Sequence, residues 1–171
     1  FVQIGSSDEY GQAPAPQHEE QREQSISPYS LAKTASTHFL QMLNRTENFP
    51  SVIIRLFLTY GPGQDSSRFL PQIIRGCLDD ATFPSSPGEQ LRDFCYVDDT
   101  VRAILQALTQ PKIEGNVFNV ASGKAVSIRT VIEKVCELTG SGNPHYGEVL
   151  YRNGENMSLY ANISKAKKIL K

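Results

Sequence analysis

The 171-residue sequence lacks the long apolar runs and the charge bias that mark membrane and nucleic-acid-binding proteins. No apolar run approaches the ~20 residues that a membrane-spanning helix needs. The net charge is -1 and the basic residues are scattered, so the long-range attraction on which nucleic-acid binding depends is missing. We therefore expect small molecules or proteins as partners, with no nucleic acid and no membrane.

Cysteine is also scarce, since only Cys77, Cys95 and Cys136 are present and no C-x-x-C occurs. An odd number of widely spaced cysteines matches neither a disulfide framework nor a zinc site, so we predict reduced, mostly buried thiols and no metal. No signal-peptide pattern is visible, and we expect a cytoplasmic protein. The chain has no initiator methionine and opens on the apolar run FVQI, which favours a piece cut from a longer protein.

Strand and helix patterns alternate along the chain, which is typical of an α/β fold. Residues 1–5 predict a buried strand, 29–44 a helix, and 51–57 (SVIIRLF) a strand covered on both faces. Ser27 is the expected N-cap of the helix and Pro28 its first residue. Together the three segments predict a βαβ unit, and the long polar loop between the first strand and the helix is expected to border a site.

The later segments are shorter, and the glycine-rich turn of dinucleotide-binding proteins is absent from the sequence. Helices are predicted at 69–78, 98–108, 127–139 and from 164, and strands at 93–97 and 117–120. No G-x-x-G-x-x-G follows a strand, because TGSG at 139–142 follows a helix. We therefore expect this chain to bind a dinucleotide poorly by itself.

The segment SPYSLAK carries the sharpest chemical pattern. Tyr29 and Lys33 stand one helical turn apart, so both side chains share a face at the start of a helix. A phenol with a pKa of about 10 is a poor base at neutral pH, but a neighbouring ammonium favours the phenolate. Such a pair can move protons, although the same spacing also arises by chance on surface helices.

Ser6 and Ser7 follow the first predicted strand, at the end of the sheet where ligands bind in open α/β folds. A hydroxyl there can donate a hydrogen bond to a substrate oxygen while Tyr29 exchanges its proton. The alternative is a serine-rich turn without a chemical role.

Six segments stand in order along the chain: IGSSDEYG, SPYSLAK, IIRLFLTYGPGQ, GEQLRDFCYVDD, GNVFNVASGK and YRNGENMSLYANISKAKKIL. The sequence resembles the NAD-dependent epimerase/dehydratase family, the extended short-chain dehydrogenases, in which these motifs occur in the same order. The resemblance covers nearly the whole chain. It implies a Rossmann-like fold, NAD or NADP as cofactor, a nucleoside-diphosphate sugar as substrate, and a homodimer formed through the helix at 29–44.

The resemblance also implies catalytic roles for three residues. Ser6 matches the catalytic serine or threonine, and Tyr29 matches the acid/base. Lys33 matches the lysine that lowers the tyrosine pKa and holds the nicotinamide ribose, so Tyr29 and Lys33 are cofactor-binding as well. In this family the nicotinamide removes or returns hydride at a sugar carbon while the tyrosine handles the hydroxyl proton.

Substrate binding is assigned in the same way. Arg92 and Arg152 match arginines that grip the substrate diphosphate, for which a guanidinium fork suits paired oxygens. Ser7 is the third predicted substrate-binding residue. The alternative for the two arginines is an ordinary role in surface salt bridges.

Two departures from the family pattern bear on the reaction. Leu58 stands where many members have asparagine in RxFNxYGP, which removes an amide used against the substrate. The 4,6-dehydratases use a Thr-Asp-Glu triplet for water elimination, and the matching positions are Ser6, Ser7 and Asp8. The acidic pair Asp8-Glu9 is thus displaced by one residue, which disfavours a dehydratase.

The sequence is therefore identified as the C-terminal portion of a family member, without its glycine-rich N-terminus. We expect the C-terminal part of a Rossmann-like parallel sheet plus a small α/β substrate-binding lobe. Residues 1–64 are assigned to the C-terminal strands and catalytic helix of the dinucleotide-binding domain, and 65–171 mainly to the substrate-binding lobe, with elements returning to the sheet. The predicted function is a nucleotide-sugar epimerase or 4-keto-sugar reductase; the alternatives are a 4,6-dehydratase and a non-catalytic binding or structural chain.

Overall fold

A computed structural model describes residues 1–170, in which short strands and helices alternate. The strands are β1 (Val2–Ser6), β2 (Val52–Leu56), β3 (Leu58–Tyr60), β4 (Thr82–Ser85), β5 (Leu91–Arg92), β6 (Phe94–Tyr96), β7 (Val117–Val120), β8 (Val126–Ser127), β9 (Asn143–Tyr146) and β10 (Ser158–Leu159). The helices are α1 (Pro28–Glu47), α2 (Phe69–Leu78), α3 (Val97–Thr109), α4 (Ile128–Thr139) and α5 (Ser164–Ile169). A 3-10 turn, Ser7–Tyr10, follows β1 directly.

The main sheet has three parallel strands in the order β1-β2-β7. The predicted βαβ unit is confirmed, because β1 and β2 pair in parallel and α1 connects them in the sequence. The central strand β2 is buried along nearly its whole length, as its uninterrupted apolar run predicts. By contrast, β1 is only half-buried, with Ile4 36% exposed. Both β1 and β7 lie at an edge of these three strands, but β7 is buried along its whole length, so edge position alone does not account for the exposure of β1.

Helices cover both faces of this sheet. On one face Leu40 of α1 packs against Ile53. On the other face α3 and α5 close over Ile54 and Phe118. Neighbouring residues of β2 therefore serve opposite layers, which is the alternation that a doubly covered parallel strand requires.

The starts of α1 and α4 follow their sequence signals. Ser27 is the N-cap of α1, with its Oγ accepting a hydrogen bond from the Ser30 N–H at 3.1 Å, and Pro28 is the first helical residue. Ser127 caps α4 in the same way through the Thr130 N–H at 3.0 Å. The predicted cap of α1 is confirmed, and α4 begins one residue after the predicted start at 127.

The strands that follow β2 in the sequence, apart from β7, form smaller sheets. β3 pairs with β6, β4 with β9, and β5 lies between β10 and β8. Helices α2 and α4 pack against each other through Ile73, Cys77 and Ile132. The division of the chain at residue 64 stays a prediction.

Two findings concern the membrane and cysteine predictions. Within residues 1–170, no helix combines the length and the apolar character that crossing a membrane requires. Cys77 and Cys95 are buried and Cys136 is partly exposed. The Sγ atoms of Cys77 and Cys136 lie 3.5 Å apart, a proximity that the wide sequence spacing did not predict.

Candidate functional site

The candidate site begins at the carboxyl end of β1, where the chain enters the 3-10 turn. Ser6 caps this turn, with its Oγ accepting a hydrogen bond from the Asp8 N–H at 3.1 Å. The hydroxyl proton of Ser6 remains able to donate to a ligand oxygen. Ser7 is 4% exposed, so its side chain does not reach the open surface.

Tyr29 and Lys33 lie side by side at the start of α1. The Lys33 Nζ is 5.8 Å from the centroid of the Tyr29 ring. It also donates a hydrogen bond to the Ile4 carbonyl oxygen of β1 at 2.8 Å. This bond fastens the first turns of α1 to the strand just before Ser6, and Tyr29 stays 54% exposed beside it.

An ion-pair network lies beneath the turn, and the sequence reasoning missed it. Arg55 of β2 is fully buried, and its Nε donates to Glu9 Oε2 at 2.9 Å. Its Nη2 donates to the carboxylate of Glu23, and its Cζ lies 4.6 Å from the centre of the Tyr10 ring. Burial raises the pKa of Tyr10 to about 12, against the opposing charge of Arg55. The available signal was an arginine inside the apolar run SVIIRLF, since a charge buried there needs a partner.

The two predicted diphosphate arginines are linked through the turn 152–155, which contains Arg152 and whose Glu155 contacts Arg92. Arg92 Nη2 binds the carboxylate of Glu155, and the Glu155 N–H donates to the Arg152 carbonyl oxygen at 2.9 Å. Arg152 is exposed. The side chain of Asp8 is more than a third exposed, yet desolvation raises its pKa, and the charge of Arg92 opposes this rise. The structure therefore brings Arg92 close to Asp8, in the turn that follows Ser6. The described contact of Arg152 is made by its carbonyl oxygen, so no described contact brings the two guanidinium groups together.

A second buried carboxylate holds this region together. Asp93 follows Arg92 directly and is fully buried. Its Oδ1 accepts hydrogen bonds from the Ser122 N–H at 2.8 Å and the Ser122 Oγ at 2.6 Å. Its Oδ2 accepts from the N–H groups of Gly123 at 3.0 Å and Ala161 at 3.3 Å. Asp93 thus ties the end of β5, the strand that carries Arg92, to the segments after β7 and β10.

The fold and the turn after β1 define an α/β chain with parallel strands of the Rossmann type, and the comparisons with known proteins specify the family. The model of the NAD dependent epimerase/dehydratase family matches residues 1–121. This match covers more than half of the chain, and the chain belongs to that family.

Several similar proteins are epimerases or dehydratases by name. An uncharacterised UDP-glucose epimerase of Bacillus subtilis, YtcB, is 27% identical over 172 residues, covering 99% of this chain and 54% of the relative. A probable dTDP-glucose 4,6-dehydratase of Sinorhizobium fredii is 32% identical over 128 residues, covering 72% of this chain and 36% of the relative. The solved UDP-glucuronic acid 4-epimerase of Bacillus cereus, in complex with UDP-glucuronic acid and NAD, has a TM-score of 0.89 at 30% identity and covers 99% of this chain and 55% of its own.

The comparisons confirm the predicted family and the α/β fold and correct one prediction. The family match starts at the first residue, with β1, and covers the Rossmann-type portion of the chain. The prediction that this chain is the C-terminal portion of a family member without its glycine-rich N-terminus is therefore wrong. The chain spans about half the length of the curated relative that it matches over nearly all its residues.

Proposed function

We propose that this protein acts on a nucleoside-diphosphate sugar as an NAD(P)-dependent epimerase or 4-keto-sugar reductase, with Tyr29 as the acid/base. The observation that carries the proposal is that Tyr29 lies beside Lys33 at the start of α1. The hydrogen bond from Lys33 to the Ile4 carbonyl oxygen holds this helix to the end of β1, next to Ser6. Family membership supports it, as does the similarity to an epimerase solved with a UDP-sugar and NAD.

The residues at the strand end fit a nicotinamide cofactor. The described contacts of Lys33 use one of its three N–H bonds, on the Ile4 carbonyl oxygen, and leave two for ribose hydroxyls. NAD or NADP supplies hydride transfer at the sugar carbon. Tyr29 exchanges the hydroxyl proton of the sugar at its phenol oxygen, with the Lys33 ammonium beside the ring. The Ser6 hydroxyl donates a hydrogen bond to the same substrate oxygen and keeps its proton.

Substrate recognition falls to the second half of the chain in this proposal. Arg92 and Arg152 bind the diphosphate, and residues 65–171 form mainly the substrate-binding lobe. Arg92 exchanges the carboxylate of Glu155 for phosphate oxygens, which suit a guanidinium equally well. Ser7 is buried, so its hydroxyl reaches a substrate only if the turn opens.

Replacement of Tyr29 tests the function. In the full natural polypeptide, supplied with NAD and UDP-glucose or UDP-glucuronic acid, we expect Tyr29→Phe to lower kcat by about 10²- to 10⁴-fold, the usual contribution of a general acid/base. Tyr96→Phe is the matched control, since Tyr96 is 37% exposed and belongs to none of the candidate groups. Equal kcat values for the two variants would sink the proposal.

A 4,6-dehydratase is the second candidate, and one observation favours it. Asp8 is exposed on the turn, and its raised pKa suits a group that donates a proton. Glu9, the other acid of the pair, is fully buried and cannot meet a substrate. Loss of water from dTDP-glucose or UDP-glucose, abolished by Asp8→Asn, would favour the dehydratase.

A non-catalytic role is distinguished by calorimetry. Binding of a UDP-sugar without turnover in the presence of NAD indicates a nucleotide-sugar-binding chain. Binding of neither ligand leaves a structural role.

The proposed homodimer forms through α1. Leu31, Phe39 and Met42 are exposed by 61%, 57% and 38% and follow one another at helical spacing, so they form an apolar stripe on the outer side of the helix. Light scattering on the natural polypeptide tests this pairing. We expect a dimer, and a monomer for Phe39→Glu. An unchanged dimer in that variant would place the interface elsewhere.

A further inference from the structure

Glu9 makes three hydrogen bonds that join separate parts of the candidate site. Its Oε1 accepts from the Ser6 N–H at 2.9 Å. Its Oε2 accepts from Arg55 Nε at 2.9 Å and from Thr37 Oγ1 of α1 at 2.8 Å. Ser6, the sheet strand β2 and the helix that carries Tyr29 therefore meet on one carboxylate.

This carboxylate is held rigidly. Glu9 and Arg55 are fully buried and Thr37 is 1% exposed. A buried charge that loses its partner is strongly unfavourable, so the ion pair cannot open without cost, and neither group can swing toward solvent. Glu9 therefore has no access to a substrate, and its effect on any reaction must pass through the groups that it holds.

We propose that Glu9 is a positioning residue that fixes Ser6 relative to α1. Thr37 lies about two turns after Tyr29 on the same helix, so the bonds of Glu9 set the distance between the Ser6 hydroxyl and the Tyr29 phenol. The inference rests on the proposed function, in which these two groups share one substrate oxygen. A small error in their separation slows such a reaction, since misplacement by about 1 Å can cost about 10²-fold in rate.

The chemistry of the contacts explains why a carboxylate is required. Both oxygens of Glu9 accept hydrogen bonds, one from Ser6 and one from Arg55 and Thr37. A glutamine at this position has one acceptor oxygen and one NH₂ donor. Glu9→Gln must therefore release either the Ser6 N–H or the Arg55 Nε–H, although it keeps the size of the side chain.

Glu23 provides the matched control. Its carboxylate binds the same guanidinium, Arg55, and also His38. It makes no described contact with Ser6. Glu9→Gln and Glu23→Gln each remove one carboxylate charge from Arg55, so a purely structural weakening of the ion pair affects both variants.

The test compares the two variants in the full natural polypeptide by kinetics and by hydrogen exchange. We expect Glu9→Gln to lower kcat by about 10- to 100-fold with a smaller change in KM, and Glu23→Gln to keep kcat near the wild-type value. We also expect the Ser6 amide to exchange faster in Glu9→Gln than in Glu23→Gln, a readout that does not depend on activity. Equal kcat and equal Ser6 exchange in the two variants would overturn the positioning role.

A second variant covers the case in which Glu9→Gln does not fold. Thr37→Val keeps the ion pair and the side-chain volume but removes the bond between Glu9 and α1. We expect a lower kcat with little change in KM, and a wild-type kcat refutes the coupling to α1. Tyr29→Phe separates the two proposals. If this variant keeps full turnover, the proposed function fails. If it loses turnover while Glu9→Gln behaves like Glu23→Gln, only the positioning role of Glu9 fails.

Discussion

Replacement of Asp93 by asparagine removes the acceptor that holds three segments together. The carboxylate is fully buried and accepts four hydrogen bonds, from the N–H and Oγ of Ser122 and from the N–H groups of Gly123 and Ala161. An asparagine side chain has one acceptor oxygen, and its NH₂ group can only donate. Whichever way the amide is oriented, its NH₂ faces N–H donors that it cannot satisfy.

The expected loss of stability follows from that mismatch. Two donors lose their partner, at Gly123 and Ala161 if the oxygen stays with Ser122. Ala161 is buried, and a buried donor without a partner costs about 1–3 kcal/mol, whereas the N–H of the exposed Gly123 can turn to water. We therefore expect the free energy of unfolding to fall by about 1–3 kcal/mol. For a chain of this size, each kcal/mol lowers Tm by about 2–4 °C.

Thermal and urea unfolding of Asp93→Asn measure this loss. Asp65→Asn is the control for the chemical change itself, because Asp65 lies on an exposed turn and accepts from the Ser67 N–H through one oxygen, which an asparagine also offers. We expect the control to unfold like the wild type. An Asp93→Asn variant as stable as the control would refute the reasoning that buried carboxylates are needed where donors converge.

Further predictions concern acid stability, thiol reactivity and one turn. Burial acts to raise the pKa of Glu23, but hydrogen bonds from its own backbone and from Arg55, together with the charge of Arg55, outweigh it and hold the pKa below its usual range. The stabilisation from Glu23 is therefore present above its unfolded pKa of about 4.3 and is lost as the pH falls through the lower folded value. Chemical denaturation at a series of pH values measures this. Below about pH 4 the free energy of unfolding should fall less in Glu23→Gln than in the wild type. Burial and the neighbouring Cys136 raise the pKa of the Cys77 thiol to about 11. At pH 8 a thiol reagent should therefore label the partly exposed Cys136 before Cys77. Peptide mass spectrometry that shows Cys77 labelled first would contradict this. Gly11→Ala should lower Tm strongly, because φ is +52° and the new Cβ would lie 1.8 Å from a backbone oxygen. In the control variant Gly63→Ala the new Cβ meets no atom within 4 Å, so only the strain of the positive φ is added. Similar Tm values for the two variants would contradict the prediction.

The regular elements were largely predictable from local sequence. The apolar run SVIIRLF predicted the buried strand β2, and Ser27 with Pro28 predicted the start of α1. These patterns are local, because the periodicity of apolar residues and the residues that cap a helix act within a few positions. The strand at 1–5 was predicted as buried, yet β1 is half exposed, because the apolar pattern alone does not say how completely other parts of the chain cover a strand.

The candidate site was predicted in part. The pairing of Tyr29 with Lys33 follows from helical spacing and needs no tertiary information. The network around Arg55 was missed, although an arginine inside an apolar run requires a buried partner. The partners are Glu9 and Glu23, on two separate segments of the chain, and no local pattern identifies them.

The sequence by itself determined the family and the βαβ unit, and it predicted the residues of the proposed chemistry, because each depends on short motifs and local periodicity. Tertiary structure alone decided that Glu9 meets Arg55 across 46 residues, that Cys77 meets Cys136 across 59, and that Asp93 meets Ala161 across 68. These contacts depend on the register of parallel strands and on how helices pack over them. Such packing is set jointly by the whole core, so no single segment encodes it.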